Sequence, residues 1–154
     1  MKLQAYVKEE LIFIADSFKD TSHFYADFAQ FLKNRGVIPD PRKIKRLFVK
    51  RESVGSTAIG RRVAAPHIYA EDFAQFVVAV ALIRQGLEYR APDREKVCLV
   101  FLIMSDEREV GLHLKALAHV ARLTKSTDVV EAALAASGPG DVLRAILEKE
   151  ESLF

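Results

Sequence analysis

The residues with the clearest chemical potential stand together in positions 51–67. An Arg-Glu pair is followed by Gly-Ser-Thr, a second glycine, two arginines and a short apolar run that ends at Pro66-His67. Proline has a fixed φ and no N–H, so we expect the chain to leave a buried strand at Pro66 and to present His67 at the rim. Because the usual pKa of histidine is about 6.5, its imidazole is largely neutral and nucleophilic at pH 7. The stretch therefore predicts anion chemistry at His67.

Cationic and polar groups near His67 suit a phosphoryl group in particular. A transferring phosphoryl group carries negative charge on its equatorial oxygens, so its site must position it and supply positive charge. Arg51 offers a planar guanidinium fork for this purpose. The backbone N–H groups and hydroxyls of Gly55, Ser56 and Thr57 predict an additional anion-binding concavity. A histidine without these neighbours would instead be interpreted as an ordinary exposed loop residue.

Positions 51–67 resemble, without a gap, the active-site stretch of enzyme IIA of the fructose/mannitol/nitrogen class in the bacterial phosphoenolpyruvate-dependent phosphotransferase system. That family reads Arg-Glu-x-x-Gly-Ser-Thr-(Ala/Gly)-Ile-Gly-x-Gly-x-Ala-Ile-Pro-His. Its last histidine accepts a phosphoryl group on Nε2, so the resemblance implies that His67 is the acceptor. Arg62 and Ala65 depart from the customary glycine and isoleucine. Arg62 either modulates phosphate binding and docking or is solvated and points away, which is the interpretation we favour.

A second segment, positions 111–123, resembles the family's His-Leu-x-x-Leu-Ala-x-(Ile/Val)-Ala-(Arg/Lys)-Leu pattern. There the leading histidine faces the phosphorylated one and helps to hold the phosphoryl group, which implies this role for His113 and not for His119. We expect His113 in the first turns of a helix that opens near Val110, where the helix dipole favours anions. Ser105 occupies the region of a customary proline, which leaves the shape of that loop open. His23 is interpreted as a surface residue.

The strands that must position these residues appear as apolar runs. Positions 76–83 and 97–104 are continuous apolar runs, typical of strands buried on both faces. Shorter strands are predicted at 11–14 and near 63–65, and turns at Gly86 and 91–93. Strands interleaved with helices predict an α/β fold: a single domain over residues 1–154, with a small mixed sheet and helices on both faces.

Five helices are predicted around this sheet. Asp20 caps the first, which ends at Gly36, and Asp40-Pro41 opens a second that runs to about Arg51 or Glu52. Three helices close the chain. The first of these three is expected to bury a particular set of apolar residues. These residues are Val110, Leu114, Leu117, Ala118 and Ala121.

Composition narrows the class of protein. A chain of 154 residues fits one domain, and its net charge of +2 is too near neutral to imply nucleic acid. The basic positions 42–50 are interpreted as a solvated helix face, since no aromatic residues accompany the charge. The lone Cys98 suits a reducing compartment, and no apolar run reaches the ~20 residues of a membrane helix, so we expect a cytoplasmic protein without membrane insertion. Walker and dinucleotide motifs are missing, so direct nucleotide binding has no support.

The resemblance implies a phosphotransferase component that is not a complete enzyme alone. His67 would accept phosphate from an HPr-type phosphocarrier protein and pass it to a IIB component or display it to regulatory proteins, with no metal or cofactor. A single domain with no attached membrane or IIB segment resembles the nitrogen-regulatory branch more than a sugar permease. The alternative is a phosphorylation-independent regulatory binding module on the same fold, in which Arg62 prevents productive transfer. An electrostatic nucleic-acid binder is the weakest reading.

Overall fold

The strands of the described residues (1–71, 73 and 75–153 of a computed structural model) form a mixed sheet. These strands are β1 (Ile12–Ala15), β2 (Ala58–Gly60), β3 (Val63–Ala64), β4 (His67–Tyr69), β5 (Val77–Leu87) and β6 (Val97–Ser105). The antiparallel pair β5 and β6 forms the centre, and β1 adds parallel to β5. The other edge of β6 pairs in parallel with β3 and then with β4, while β2 pairs antiparallel with β3. The predicted long strands are therefore confirmed, although β5 runs further than expected.

Helices cover both faces of this sheet, as predicted. They are α1 (Thr21–Asn34), α2 (Pro41–Val54), α3 (Val110–Ser126), α4 (Val129–Leu134) and α5 (Pro139–Leu153). Helices α1 and α2 bury aromatic and aliphatic residues such as Phe28 and Phe48 on one face. Helices α3 to α5 bury residues such as Val120 and Ile146 on the other. Within the described residues, no helix combines the length and the apolar character needed to cross a membrane.

The caps of the first two helices follow the sequence closely. The Asp20 side chain accepts a hydrogen bond from the N–H of His23, and Gly36 adopts a positive φ of 75° after α1. The Asp40 side chain likewise accepts from the first N–H groups of α2. The predicted end of α2 at Arg51 or Glu52 was too early, because the helix continues to Val54. Arg51 and Glu52 therefore lie in its last turn.

The expected departure of the chain from the sheet at Pro66 was wrong. Strand β3 ends just before it and β4 begins just after it, and both pair with β6. The Pro66 carbonyl still accepts a hydrogen bond from the N–H of Ile103 at 2.9 Å. A missing N–H removes a donor but leaves the acceptor intact, so proline interrupts the ladder without ending it. His67 consequently begins a strand, where its side-chain direction is fixed by the pairing.

The glycine-rich segment contains a hairpin that the sequence did not reveal. Strands β2 and β3 are joined by Arg61 and Arg62, whose φ angles are +54° and +68°. Two-residue hairpin loops favour positive φ at both positions, a conformation natural to glycine. Gly86 was predicted as a turn but lies inside β5, at an irregularity of its pairing with β6.

The apolar face predicted for α3 was also wrong. Val110 and Leu114 are 47% and 63% exposed, and Ala118 and Ala121 are exposed as well. The helix instead buries a face that contains two histidines. The buried residues are His113, Ala116, His119, Val120, Leu123 and Thr124. Apolar residues lie on both faces of α3, so hydrophobic periodicity alone could not identify the inner one.

Candidate functional site

The register of β4 directs His67 toward α3. His67 pairs with Ile103 and Tyr69 with Ser105, whereas Ile68 belongs to the core beneath α1 and α2. Because side chains alternate along a strand, His67 and Tyr69 share the opposite face. Helix α3 covers that face and contributes His113. The ring centroids of His67 and His113 are 6.5 Å apart, with an interplanar angle of 74°.

The backbone contact of His67 determines which of its nitrogens is available. The ring is half-buried, and Nδ1 lies 3.2 Å from the carbonyl oxygen of Ala65. A carbonyl can only accept a hydrogen bond, so Nδ1 carries the proton in this contact. The neutral ring then has its lone pair on Nε2. This arrangement orients a nucleophilic nitrogen that is already unprotonated.

His113 is fully buried, with 0% exposure, in a pocket of aromatic rings. It stacks on Tyr69 at a centroid distance of 4.2 Å and contacts Phe76 edge-on at 5.6 Å. Its Nε2 lies 2.6 Å from the Ser105 hydroxyl, while its Nδ1 is buried and has no hydrogen-bond partner in the described structure. Burial, and to a lesser extent the charge of His67, lower the pKa of His113 to about 4, so its ring is neutral near pH 7.

The Gly-Ser-Thr turn is held by a polar network beneath it. Glu52 accepts hydrogen bonds from the Thr57 N–H at 2.9 Å and from the Thr57 hydroxyl at 2.5 Å. The Tyr25 hydroxyl also donates to Glu52, at 2.9 Å, and it contacts the Tyr89 hydroxyl. Burial is the main cause that raises the pKa of both tyrosines, with the Glu52 carboxylate adding to it, so both remain protonated. Glu52 thus organises the turn by accepting from backbone and hydroxyl groups.

The donors of this turn are engaged inside the protein. The Gly55 N–H donates to the Glu52 carbonyl at 3.2 Å, and the Ser56 hydroxyl donates to the Tyr89 carbonyl at 2.5 Å. Thr57 is committed to Glu52 in the same way. Arg51 donates from Nη1 to the Gly55 carbonyl at 2.9 Å. The structure therefore brings the two imidazoles together, and the Gly55 N–H, the Ser56 hydroxyl and both donors of Thr57 bond groups within the chain.

These features agree with a comparison against known families. A family model described as the phosphoenolpyruvate-dependent sugar phosphotransferase system, EIIA 2, matches residues 5–149. The chain belongs to this family. The predicted family is thus confirmed, and the chain is a phosphotransferase-system EIIA chain.

Individual relatives agree with this assignment. A nitrogen regulatory protein of Bradyrhizobium diazoefficiens is 32% identical over 90 residues, which cover 58% of the EIIA chain and 59% of that protein. The fructose-specific EIIABC component of Bacillus subtilis is 23% identical over 151 residues, 98% of this chain and 24% of that protein. The chain therefore spans less than two thirds of the length of either relative.

Solved structures share the fold of this EIIA chain. The crystal structure of nitrogen regulatory protein IIA-Ntr from Neisseria meningitidis superposes with a TM-score of 0.84 at 23% identity, covering 94% of this chain and 98% of that chain. The IIA mannitol protein of Escherichia coli gives 0.74 at 18% identity, covering 90% and 97%. The relatives named nitrogen regulatory protein fit the predicted nitrogen-regulatory branch.

Arg62 of the EIIA chain lies far from the two histidines. Val63 pairs with Leu99 and His67 with Ile103, so Arg62 is separated from His67 by four strand steps or more, roughly 13 Å at 3.3 Å per residue. Its guanidinium is 3.6 Å from the Cys98 sulfur and 3.7 Å from a Glu131 oxygen. Arg62 thus lies away from the two histidines, but it is partly buried and not the solvated side chain of the favoured interpretation.

Sequence reasoning missed three residues that line the EIIA site. Tyr69 follows His67 by two residues, so the period of a strand would have placed both on one face, had β4 been recognised. Ser105 was noted only as a loop residue, but it ends β6 and contacts His113. Phe76 was predicted to belong to a strand, but it lies just before β5 begins and contacts the His113 ring edge-on. His23 is exposed beside Asp20, as predicted.

Proposed function

We propose that this EIIA chain is a phosphoryl carrier that accepts phosphate on Nε2 of His67 from an HPr-type protein. The observation that carries the proposal is Nδ1 of the fully buried His113, which has no hydrogen-bond partner among the described residues, in a ring whose centroid lies 6.5 Å from that of His67. A buried polar atom without a partner costs free energy, and such atoms in native proteins call for a reason. A phosphoryl oxygen bound between the two imidazoles supplies that missing partner.

The proposed step is a transfer between two histidines. The Nε2 lone pair of His67 forms a bond to phosphorus as the bond to the donor's imidazole breaks, and that electron pair returns to the donor ring. Because Nδ1 of His67 is held by the Ala65 carbonyl, the attacking nitrogen is fixed in direction. The donor is already an activated phosphohistidine, so the proposal includes no metal and no cofactor.

Arg51 and the turn complete the proposed site. Arg51 is half-buried and donates from Nη1 to the Gly55 carbonyl. A guanidinium has five N–H donors, so Arg51 can keep this bond while another of its N–H groups donates to a phosphoryl oxygen. We assign Ser56 and Thr57 to shaping the pocket through their contacts with Tyr89 and Glu52. This assignment follows from their donors being occupied within the chain.

The donor must dock on the surface around His67, since the two imidazoles have to share one phosphorus. Val110 and Leu114 are exposed apolar residues within one turn of His113, and buried apolar area is the general source of docking energy. A solved complex joins Escherichia coli IIA mannitol to its phosphorylated IIB partner, at 16% identity to this chain. A IIB component or a regulatory protein is accordingly the proposed recipient, with residues 1–154 acting as one EIIA domain in the cytoplasm.

The proposal is tested by incubating the chain with phosphoenolpyruvate, enzyme I and HPr and measuring its intact mass. We expect a gain of one acid-labile phosphoryl group, absent from His67→Ala. His23→Ala is the matched control, because His23 is an exposed histidine on α1. A wild type that gains no phosphoryl group supports the phosphorylation-independent binding module instead. Since Arg62 lies away from the site, it offers no direct reason for such a loss.

A further inference from the structure

Ser105 is the polar residue that fixes the buried side of the site. It ends β6, is 0% exposed and pairs with Tyr69 of β4. Its hydroxyl donates to the carbonyl of Asp106 at 2.9 Å and lies 2.6 Å from Nε2 of His113. The family's motif does not point to this serine, because the members that this chain resembles customarily have a proline in that region.

The two contacts of Ser105 determine the tautomer of His113. A serine hydroxyl has one proton to donate, and here the Asp106 carbonyl takes it. The oxygen must therefore accept from His113, which places the ring proton on Nε2. The neutral ring then has its lone pair on Nδ1, the buried atom for which the described residues offer no partner.

This tautomer has a consequence for phosphoryl binding. Phosphoryl oxygens accept hydrogen bonds, so an unprotonated Nδ1 offers them nothing. The Nε2 proton is directed at Ser105 and is not available either. His113 can donate to the phosphoryl group only after Nδ1 gains a proton, and a neighbouring anionic group favours this charged form against the cost of burial.

We propose that Ser105 is a positioning residue of this site: by holding the ring proton on Nε2, it makes His113 take up one proton at Nδ1 when His67 is phosphorylated. The inference rests on the proposed function. The proton comes from water and returns to water when the phosphoryl group leaves. Among the residues that the structure describes, the titratable groups that face or adjoin this ring are His67 and Tyr69 from β4 and Asp106 after β6. Transfer is thereby coupled to pH through His113.

The inference is tested by ¹⁵N NMR of the histidine rings before and after phosphorylation. We expect His113 to show the Nε2–H tautomer in the free wild type and two protonated nitrogens in the phosphorylated protein. Ser105→Ala should show mixed tautomers and transfer about tenfold or more slower, the loss expected for a hydrogen bond to a charged group. Ser105→Thr keeps the hydroxyl and should restore both. Ser152→Ala is the control, because Ser152 also donates to a backbone carbonyl but lies exposed on α5.

The outcomes separate this inference from the proposed function. A free wild type with the proton on Nδ1 of His113 overturns the inference, even if Ser105→Ala fails to fold. A neutral His113 in the phosphorylated protein, or Ser105→Ala with the wild-type tautomer and rate, overturns it as well. A wild type that accepts no phosphoryl group overturns the proposed function and the proton uptake, whereas the tautomers of the free proteins still decide whether Ser105 positions the ring.

Discussion

Helix α3 carries two buried histidines, six positions apart, that differ in how their nitrogens are satisfied. The Nε2 of His119 lies 2.6 Å from Glu150, and that buried carboxylate also accepts from the N–H groups of Leu3 at 2.5 Å and Gln4 at 3.3 Å. His113 has one nitrogen at Ser105 and the other without a partner in the described structure. The helix thus holds one histidine that joins secondary-structure elements and one whose Nδ1 has no partner within the described part of the chain.

This difference teaches that burial alone does not separate a structural histidine from a functional one. Both rings are at most 7% exposed. The distinction lies in accounting for each polar atom, because a buried group without a partner is uncommon in native proteins and calls for a specific explanation. His119 and Glu150 fasten α3 to α5 and to the N-terminal segment. They should therefore affect stability, whereas His113 should affect transfer.

The largest expected effect is that of Glu150→Ala. The substitution removes the carboxylate that bonds the buried His119 ring, the buried Leu3 N–H and the partly buried Gln4 N–H, which should lower the free energy of unfolding by about 3–5 kcal/mol. Urea denaturation measures this loss. Glu148→Ala, at an exposed position of the same helix, should change it by less than about 0.5 kcal/mol. Equal effects of the two substitutions would contradict the structural role of the His119–Glu150 pair.

A somewhat smaller effect concerns pH and His113. Its pKa is about 4 in the folded protein and 6.5 when unfolded, so as pH falls from 6.5 to 4 only the unfolded state takes up the proton. Stability should fall over that window by about 3 kcal/mol and should be unaffected by this group above pH 6.5. Unfolding of wild type and His113→Ala at several pH values isolates the contribution, which should vanish in the variant. Parallel pH profiles would show that His113 titrates normally.

The same variant should lose phosphoryl transfer. His113→Ala removes the proposed donor to the phosphoryl group, and the loss of one such donor costs about 100-fold in rate. Single-turnover transfer from phosphorylated HPr at pH 7.5 measures the effect. His119→Gln, assayed on the folded fraction, should retain most of the wild-type rate. If both histidines proved equally important for transfer, the contrast between them would be lost.

Docking should respond to the exposed face of α3. Leu114→Glu places a charge on an apolar residue that is 63% exposed and adjacent to His113. We expect the KM for phosphorylated HPr to rise about tenfold, the cost of one lost apolar contact, with little change in the rate at saturation. Val54→Glu, 82% exposed at the end of α2, is the control. An unchanged KM for Leu114→Glu would place the donor on another surface.

The sequence predicted the sheet, the two helix caps and the pair His67 and His113, because long apolar runs, capping residues and a gapless motif are local signals. It did not predict β2 or β4, each only three residues long, nor the inner face of α3, where apolar residues lie on both sides. The roles of the Ser105 hydroxyl and the Glu150 carboxylate depend on the residues that they contact in the fold, His113 and His119. Such contacts depend on register and packing, which no short pattern encodes.

The smallest expected effect belongs to Arg62→Gly, which tests whether the site ends where the two histidines do. Glycine at φ +68° relieves backbone strain of about 1 kcal/mol. The substitution also removes a partly exposed ion pair with Glu131 and increases the entropy of the unfolded chain, two losses of similar size. Net stability should therefore change by less than about 1 kcal/mol, and transfer by less than about twofold, because Arg62 is remote from His67. Thermal unfolding and single-turnover transfer measure both. A large gain in transfer would mean that this arginine reaches the phosphoryl group after all, and that the positive φ of the hairpin is maintained for a purpose other than the turn.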